Sequence, residues 1–417
     1  MTTSTAGQRS IPSENSLQFL ATGRTESCFA QDFAACRQEL KDALSGKRVL
    51  VVGGAGSIGS AAVEVLTEFS PKSLHVVDQS ENSLVEVVRN LRSRPEGVDV
   101  EDLRTLPLDY GTPIMRAFLR ANGPYDAVFN FAALKHVRSE KDPYSLLQML
   151  ETNISKQVRF MSWLRDTGFS GRYYCVSTDK AANPVSLMGA SKRLMEHVMF
   201  SSEAVSGFTA TTTSARFANV AFSNGSLPQA FLMRHRVGQP MAVPAGVRRY
   251  FISHREAAEI SLLSWLRGSQ GNIAIPTFSP EEGLVLLQDV AENTIRHLGF
   301  EPRHYDDEDK ARRCAAADIA AGFYPLLVTP LDTAGEKPYE EFVGDGEKTV
   351  DLGLKDVVAV DYLPAPTGTL GPMIQYLDRV IRGEEEMPKK EDVVRLVAAC
   401  IPQFHHIETG RNLDQRM

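Results

Sequence analysis

A chain of 417 residues, 43% hydrophobic and 23% charged, is long and apolar enough to bury a sizeable core, as two or three domains or as one large α/β unit with additions. Its 52 acidic residues outnumber its 45 basic ones, so a net charge of −7 offers nucleic acid or anionic lipid no general basic surface. The charge-free stretch Val49 to Val63 is too short and too glycine-rich for a membrane span, which needs about 20 apolar residues, and the polar start Met1 to Asn15 has no signal-peptide apolar core.

Cys28, Cys36, Cys175, Cys314 and Cys400 are odd in number and scattered, which fits buried thiols in a reducing cytoplasm better than a disulfide framework or a metal site. Residues 1–15 read as disordered. Residues 16–45 read as a helical arm, with Phe29, Phe33, Leu40 and Leu44 set among charges, that covers a sheet or a partner.

From Gly46 onward strands and helices alternate, the pattern of a right-handed parallel α/β sheet. The apolar runs predict strands at 48–52, 74–78, 103–108, 126–131, 172–177 and 210–217, and helices at 57–69, 80–93, 111–121, 143–166 and 186–205. After the first strand comes Gly53-Gly54-Ala55-Gly56-Ser57-Ile58-Gly59. Glycines at 53, 56 and 59 make a tight turn into a helix, let backbone approach a pyrophosphate, and leave the helix N-terminus free to bind it. The spacing is G-x-x-G-x-x-G rather than G-x-G-x-x-G, and such a turn also serves as a bare strand–helix corner. The strand before it, the helix after it and Asp78 at the end of the second strand favour a dinucleotide site, since a ribose-binding carboxylate is expected about 20 residues on.

Asp109 ends the third strand, where it meets an adenine ring or merely closes a turn. Ala132 and Ala133 follow the fourth strand and let a flat ligand lie on the backbone, with Lys135 and His136 next in line as candidate substrate-binding residues. Ser177-Thr178-Asp179-Lys180 ends the fifth strand, and Lys192 follows in Met188-Gly189-Ala190-Ser191-Lys192. Hydroxyls, a carboxylate and an amine at one strand end suit proton transfer, although an adjacent Asp and Lys equally compose a solvated turn. Beyond Asn219 lie a Gly/Ser loop, 223–228, a basic stretch with Arg248 and Arg249, a helix at 256–266 and a strand at 271–277. Helices at 281–299, 306–320 and 391–399 and a turn-helix at 333–339 complete the reading. The division is an N-terminal extension, 1–45, a dinucleotide-binding unit, 46–222 plus about 250–280, and a substrate-binding unit with the tail, 223–249 and 281–417.

Taken jointly, Gly53 to Gly59, Asn130 to Val137, Ser177 to Ala181, Asn183-Pro184, Gly189 to Arg193, Arg216 to Val220, Arg249 to Phe251 and Gly335-Glu336-Lys337 resemble the extended short-chain dehydrogenase/reductase family. Within it the chain is most similar to UDP-N-acetylglucosamine 4,6-dehydratases of the polysaccharide-biosynthesis branch, over roughly residues 46–350. The resemblance implies an α/β fold with a Rossmann-type doubly wound parallel sheet and a smaller C-terminal domain that closes over a nucleotide sugar. It implies oxidation at C4 by a tightly held NAD(P), loss of water from C6 and return of the hydride, giving a 4-keto-6-deoxy sugar.

By the same resemblance Asp179 is the acid at the C6 hydroxyl, Lys180 the base at C5 and Thr178 a hydrogen-bond donor to the C4 oxygen. Lys192 binds the nicotinamide ribose, and Asn219, Ser226, Arg249 and Glu336 hold UDP. The family's tyrosine, four positions before the lysine, is Met188 here, and a thioether takes no proton. That leaves the C4 base open among Asp179, Lys192 and a water. It also keeps two rivals in view: a nucleotide-sugar 4-epimerase, which needs no C5 base, and a dinucleotide-binding module without chemistry. Asp78 favours NAD over NADP, because a carboxylate accepts from both ribose hydroxyls and repels a 2′-phosphate. The helices at 143–166 and 186–205 resemble those that pair subunits in the family, so a homodimer or larger homo-oligomer is expected.

Overall fold

The structure is a computed structural model and describes residues 14–95, 97–135, 140, 142–278, 283–330 and 340–406. Six strands from the first half, β1 (Arg48–Val52), β2 (Ser73–Asp78), β3 (Asp102–Pro107), β4 (Ala127–Asn130), β5 (Arg172–Val176) and β6 (Thr211–Ala215), lie parallel in the order β3-β2-β1-β4-β5-β6. Their register is continuous: Val51 pairs with Val76 on one side and Phe129 on the other. β10 (Asn272–Pro276) extends the sheet in parallel beside β6, and the antiparallel pair β15 (Val357–Asp361) and β14 (Thr349–Val350) closes that edge.

Apolar runs form the central strands because both sheet faces are covered. Leu50, Val52, Val128 and Tyr173 point into one core, with helices Pro143–Leu150, Lys156–Asp166, Leu187–Phe200, Leu370–Ile381 and Lys390–Cys400. Val49, Val51, Phe129 and Tyr174 point into the other, with helices Ser57–Thr67 and His254–Arg267. The N-terminal helices Ala30–Ala35 and Arg37–Leu44 lay Phe33, Leu40 and Leu44 on this second core, so the arm covers its own sheet.

Two small sheets stand apart from the large one. β7 (Asn219–Val220) runs parallel to β9 (Arg248–Ile252), which pairs antiparallel with β11 (Leu284–Leu286). β8 (Met241–Pro244), β13 (Phe323–Thr329) and β12 (Glu301–Tyr305) form the other, all parallel. Helices Glu14–Thr22, Leu227–Arg236 and Leu287–His297 pack with them around Phe231, Met241 and Tyr324.

Three departures from the sequence reading have physical causes. The helix read at 143–166 is interrupted by one π turn, Glu151–Ser155, which turns Asn153 inward. The segment at 281–299 begins as β11, because Leu284 to Leu286 pair with Arg248 to Tyr250 before the helix starts. Residues 349–361 and the helices Leu370–Ile381 and Lys390–Cys400 sit on the large sheet rather than with the rest of 281–417, since their apolar faces complete its first core. All but the last of the 14 residues of Leu187–Phe200 are buried within the chain. The turn-helix read at 333–339 and the first 13 residues lie outside the described residues.

Candidate functional site

The carboxyl ends of β1, β2, β4 and β5 form one edge, and the strand order reverses between β1 and β4, where a crevice opens in sheets of this kind. The glycine turn fills that point. Gly53 has φ +71°, and a Cβ there would fall 2.6 Å from the Ala132 nitrogen. A Cβ on Gly59 would fall 2.1 Å from the Gly53 oxygen, so this glycine seats the helix on the turn. Gly56 is different: its Cβ would meet only the Gly53 oxygen, at an ordinary 3.5 Å, so the fold itself does not demand a glycine there. Gly56 is also the N-cap of Ser57–Thr67 and supplies no capping side chain, which leaves N–H donors of the first turn for an anion.

Asp78 closes β2 beside this turn. Its carboxylate accepts from Ala55 N at 3.1 Å and Ser80 N at 2.9 Å, which fixes it against the glycine turn. Ile58 packs against the second core and Ala133 against the first. Asp109 is engaged locally: Gly111 N donates to one oxygen and Lys156 pairs with the other. The Ser57 hydroxyl accepts from Asn224 N, which ties the glycine turn to the 223–226 loop. Glycine turn, unfilled helix cap and a fixed carboxylate together fit a dinucleotide.

At the end of β5 the side chains are paired. Thr178 donates to Asp179 Oδ1 at 2.6 Å, and the Lys180 amine lies 3.2 and 3.1 Å from the two Asp179 oxygens. Asp179 is 4% exposed, whereas the Lys180 side chain is 41% exposed, so the carboxylate is sunk and the amine faces outward. The next helix braces this turn, since a Cβ on Gly189 would fall 2.5 Å from the Lys180 oxygen. Lys192, on that helix, donates to Val176 O at 2.8 Å, and burial pulls its ammonium below the usual lysine value. Met188 is buried, and its backbone N–H donates to Glu140 at 2.8 Å.

The opposite wall comes from later in the chain. Asn219 donates to Tyr250 O at 3.3 Å and to the Glu340 carboxyl, which also takes Tyr250 N at 3.2 Å and lies 3.4 Å from Arg249 Nε. Burial, then the negative charge of Asp179, push Glu340 above the ordinary glutamate range, so the two carboxyls face one another electrostatically. Lys135, just past β4, reaches Ser223 Oγ at 3.4 Å; the surrounding protein, then the charge of Lys180, lower its ammonium.

Thus Thr178, Asp179, Lys180, Lys135, Asn219 and Arg249 converge. Ser226 instead accepts from Gln229 N and caps Leu227–Arg236. His136 and Glu336 lie outside the described residues. Glu340 escaped the sequence reading, although it stands three positions after the segment that carried the resemblance at 335–337.

Beneath the strand end is a second feature without a periodic signature. Arg216, fully buried, grips Glu196 at 2.8 and 2.7 Å and pairs with Glu347, while Arg193 also pairs with both carboxylates. Ser177 donates to Glu196 at 2.6 Å, so the network reaches the residue before Thr178. Among the described residues there is no group of three or more His, Cys, Asp or Glu side chains placed to hold a metal ion, and no helix long and apolar enough to cross a membrane.

Sheet order and glycine turn define a Rossmann-type α/β chain. It belongs to the polysaccharide biosynthesis protein family, whose profile matches residues 49–361. It is 29% identical to the capsular polysaccharide biosynthesis protein CapD of Staphylococcus aureus, over 73% of this chain and 46% of that protein, and so spans under half the relative's length. It is 25% identical to a UDP-glucose 4-epimerase of Rickettsia massiliae, over 73% of this chain and 89% of the relative. The X-ray structure of Pen from Bacillus thuringiensis shares the fold with a TM-score of 0.60 at 21% identity, over 78% of this chain and 88% of that one.

Proposed function

We propose that the chain is an NAD-dependent UDP-sugar 4,6-dehydratase that converts UDP-N-acetylglucosamine, or a related UDP-hexose, to a 4-keto-6-deoxy sugar for polysaccharide or glycoconjugate synthesis. The observation that carries this reading is the Asp179–Lys180 pair, an acid and an amine held side by side at a strand end next to the glycine turn's neighbour β4. NAD, when bound, supplies the oxidant for C4 and the hydride later delivered to C6. Gly53 to Gly59 bind its pyrophosphate and Asp78 its ribose, where the carboxylate disfavours a 2′-phosphate.

A ketone at C4 acidifies the C5 proton. Lys180, with its amine on the open side of the pair, removes that proton, and Asp179 protonates the C6 hydroxyl as it departs as water. Thr178 holds the Asp179 oxygen, and Lys192 is fixed beneath them by Val176 O. Asn219, Arg249 and Glu340 form the wall for the UDP part. The similarity to a UDP-glucose 4-epimerase supports a second reading, 4-epimerisation, which shares the oxidation but uses no C5 base. Purified protein incubated with UDP-N-acetylglucosamine should yield product lighter by one water, with solvent deuterium at C5. Lys180→Ala should abolish both. Epimerised product of unchanged mass, still formed by Lys180→Ala, refutes dehydration and supports the second reading.

A further inference from the structure

We propose that Lys135 is a further catalytic residue, whose amine takes the proton of the sugar C4 hydroxyl as that carbon is oxidised; the proposal rests on the dehydratase reading above. Oxidation at C4 breaks two bonds, C–H and O–H. The hydride leaves with the C–H electron pair, the O–H pair closes the carbonyl, and the proton needs a base. Position 188, where the family's tyrosine stands, offers a buried thioether.

The other nearby bases are engaged. Lys192 is 3% exposed and spends its amine on Val176 O and the Met195 sulfur. Asp179 is held by Thr178 and Lys180 and is reserved for the C6 hydroxyl. Lys135 is the amine that remains at this edge among the described residues. Its amine's hydrogen bond is to the Ser223 hydroxyl, at a long 3.4 Å, and the residue is exposed.

The backbone that carries Lys135 is fixed with unusual thoroughness for a loop. Asn153, turned inward by the π turn, accepts from Leu134 N at 2.8 Å and donates to Leu134 O at 2.9 Å. The same amide donates to Ser191 Oγ at 3.0 Å, and Ser191 directly precedes Lys192. One side chain therefore ties the residue before Lys135 to the helix that bears Met188 and Lys192. On its other side Lys135 meets Ser223, whose loop is bound to the Ser57 hydroxyl at the glycine turn. The amine thus hydrogen-bonds to the loop that meets the dinucleotide turn, and the charge of Lys180 acts on it. Partial removal from water and a like charge both favour the free amine that a base requires.

The proton count closes. Lys135 gains the C4 hydroxyl proton, Asp179 gives one to the departing water, and Lys180 takes the C5 proton, exchanges it with solvent and returns one to C5. Transfer from Lys135 through solvent to Asp179 restores the starting state.

The test uses wild type, Lys135→Ala, Lys135→Arg and Lys180→Ala loaded with NAD and mixed with UDP-N-acetylglucosamine. Near-ultraviolet absorbance reads the reduced nicotinamide, and calorimetry of UDP binding runs alongside. Lys135→Ala should slow reduction by about 100-fold or more, in the range of a lost general base, with UDP affinity changed less than about threefold. Ethylamine should restore part of the rate. Lys135→Arg keeps the charge without a usable base and should be as slow as Lys135→Ala. Lys180→Ala should still reduce NAD, because it acts only after oxidation. Unchanged reduction in Lys135→Ala, full recovery in Lys135→Arg, or a rate loss matched by lost UDP affinity overturns the proposal. Absence of reduction by wild type with any UDP-hexose overturns the dehydratase reading instead, and the two failures are told apart by the wild-type trace.

Discussion

Glu196→Gln tests whether the buried charges under β5 hold the catalytic turn. The substitution keeps the shape but removes one carboxylate from between two guanidinium groups, Arg216 at 2.7 and 2.8 Å and Arg193 at 3.0 Å. Burial alone pushes a carboxylate up, but Arg216 and then Arg193 outweigh it and hold Glu196 at about 2, against 4.5 for a free glutamate. That difference is worth about 3 kcal/mol at neutral pH. Breaking a buried pair costs about 3–5 kcal/mol by an independent route.

With an unfolding entropy of about 2.1 cal/mol/K per residue over 417 residues, such a loss lowers the melting temperature by roughly 3–6 °C. The sign in pH follows from the depressed value. The stabilisation is present above about pH 4.5 and disappears as pH falls toward 2, so the gap between wild type and Glu196→Gln should narrow over that window. The assay is calorimetric melting of both proteins from neutral to acid pH. A melting point within 1 °C of wild type at neutral pH, or a gap that widens in acid, would refute the reasoning.

The glycine turn predicts a contrast between two substitutions. Gly59→Ala drives a methyl into the Gly53 oxygen and should destabilise by about 1–3 kcal/mol, read by thermal melting. Gly56→Ala meets only an ordinary contact and should cost no more than about 1 kcal/mol, the preference for glycine over alanine at an N-cap, while losing NAD affinity, read by calorimetry. His197, which shares a hydrogen bond of 2.9 Å with Tyr362, is lowered by burial and then by Arg193 to about 3. Below pH 6.5 the unfolded chain takes up this proton first, so wild type loses about 1.4 kcal/mol per pH unit from this group down to about 3, and His197→Gln should flatten that slope in acid unfolding. Ending the chain before residue 364 removes two helices and bares the apolar side of Leu187–Phe200, which should appear as self-association in light scattering.

β1, β2, β4 and β5 could be read from sequence because each is a buried and largely apolar run, and periodicity reports burial directly. The glycine turn was legible for the same reason that it is rigid: Gly53 and Gly59 sit where any side chain would strike backbone. What escaped was set by tertiary pairing. β15 reads as a plain apolar stretch, and only its partner β10 decides that it joins the large sheet. Glu340 resembles any surface glutamate until Asn219, Tyr250 and Arg249 are brought to it from 90 or more positions away. The Arg216–Glu196–Glu347 network has no spacing to betray it, because its members come from three separate elements.

The π turn at Glu151–Ser155 has a consequence for comparing this chain with its kin. It stores one surplus residue inside an otherwise regular helix, and such a surplus shifts everything after it by about 100° of rotation. A homologue lacking that residue will align across the gap with little apparent change, yet its asparagine will face a different neighbour and Leu134 will lose its clamp. Genes in which this single codon has been gained or lost should therefore differ in how firmly the loop after β4 is set, even where every residue named in the cleft is identical.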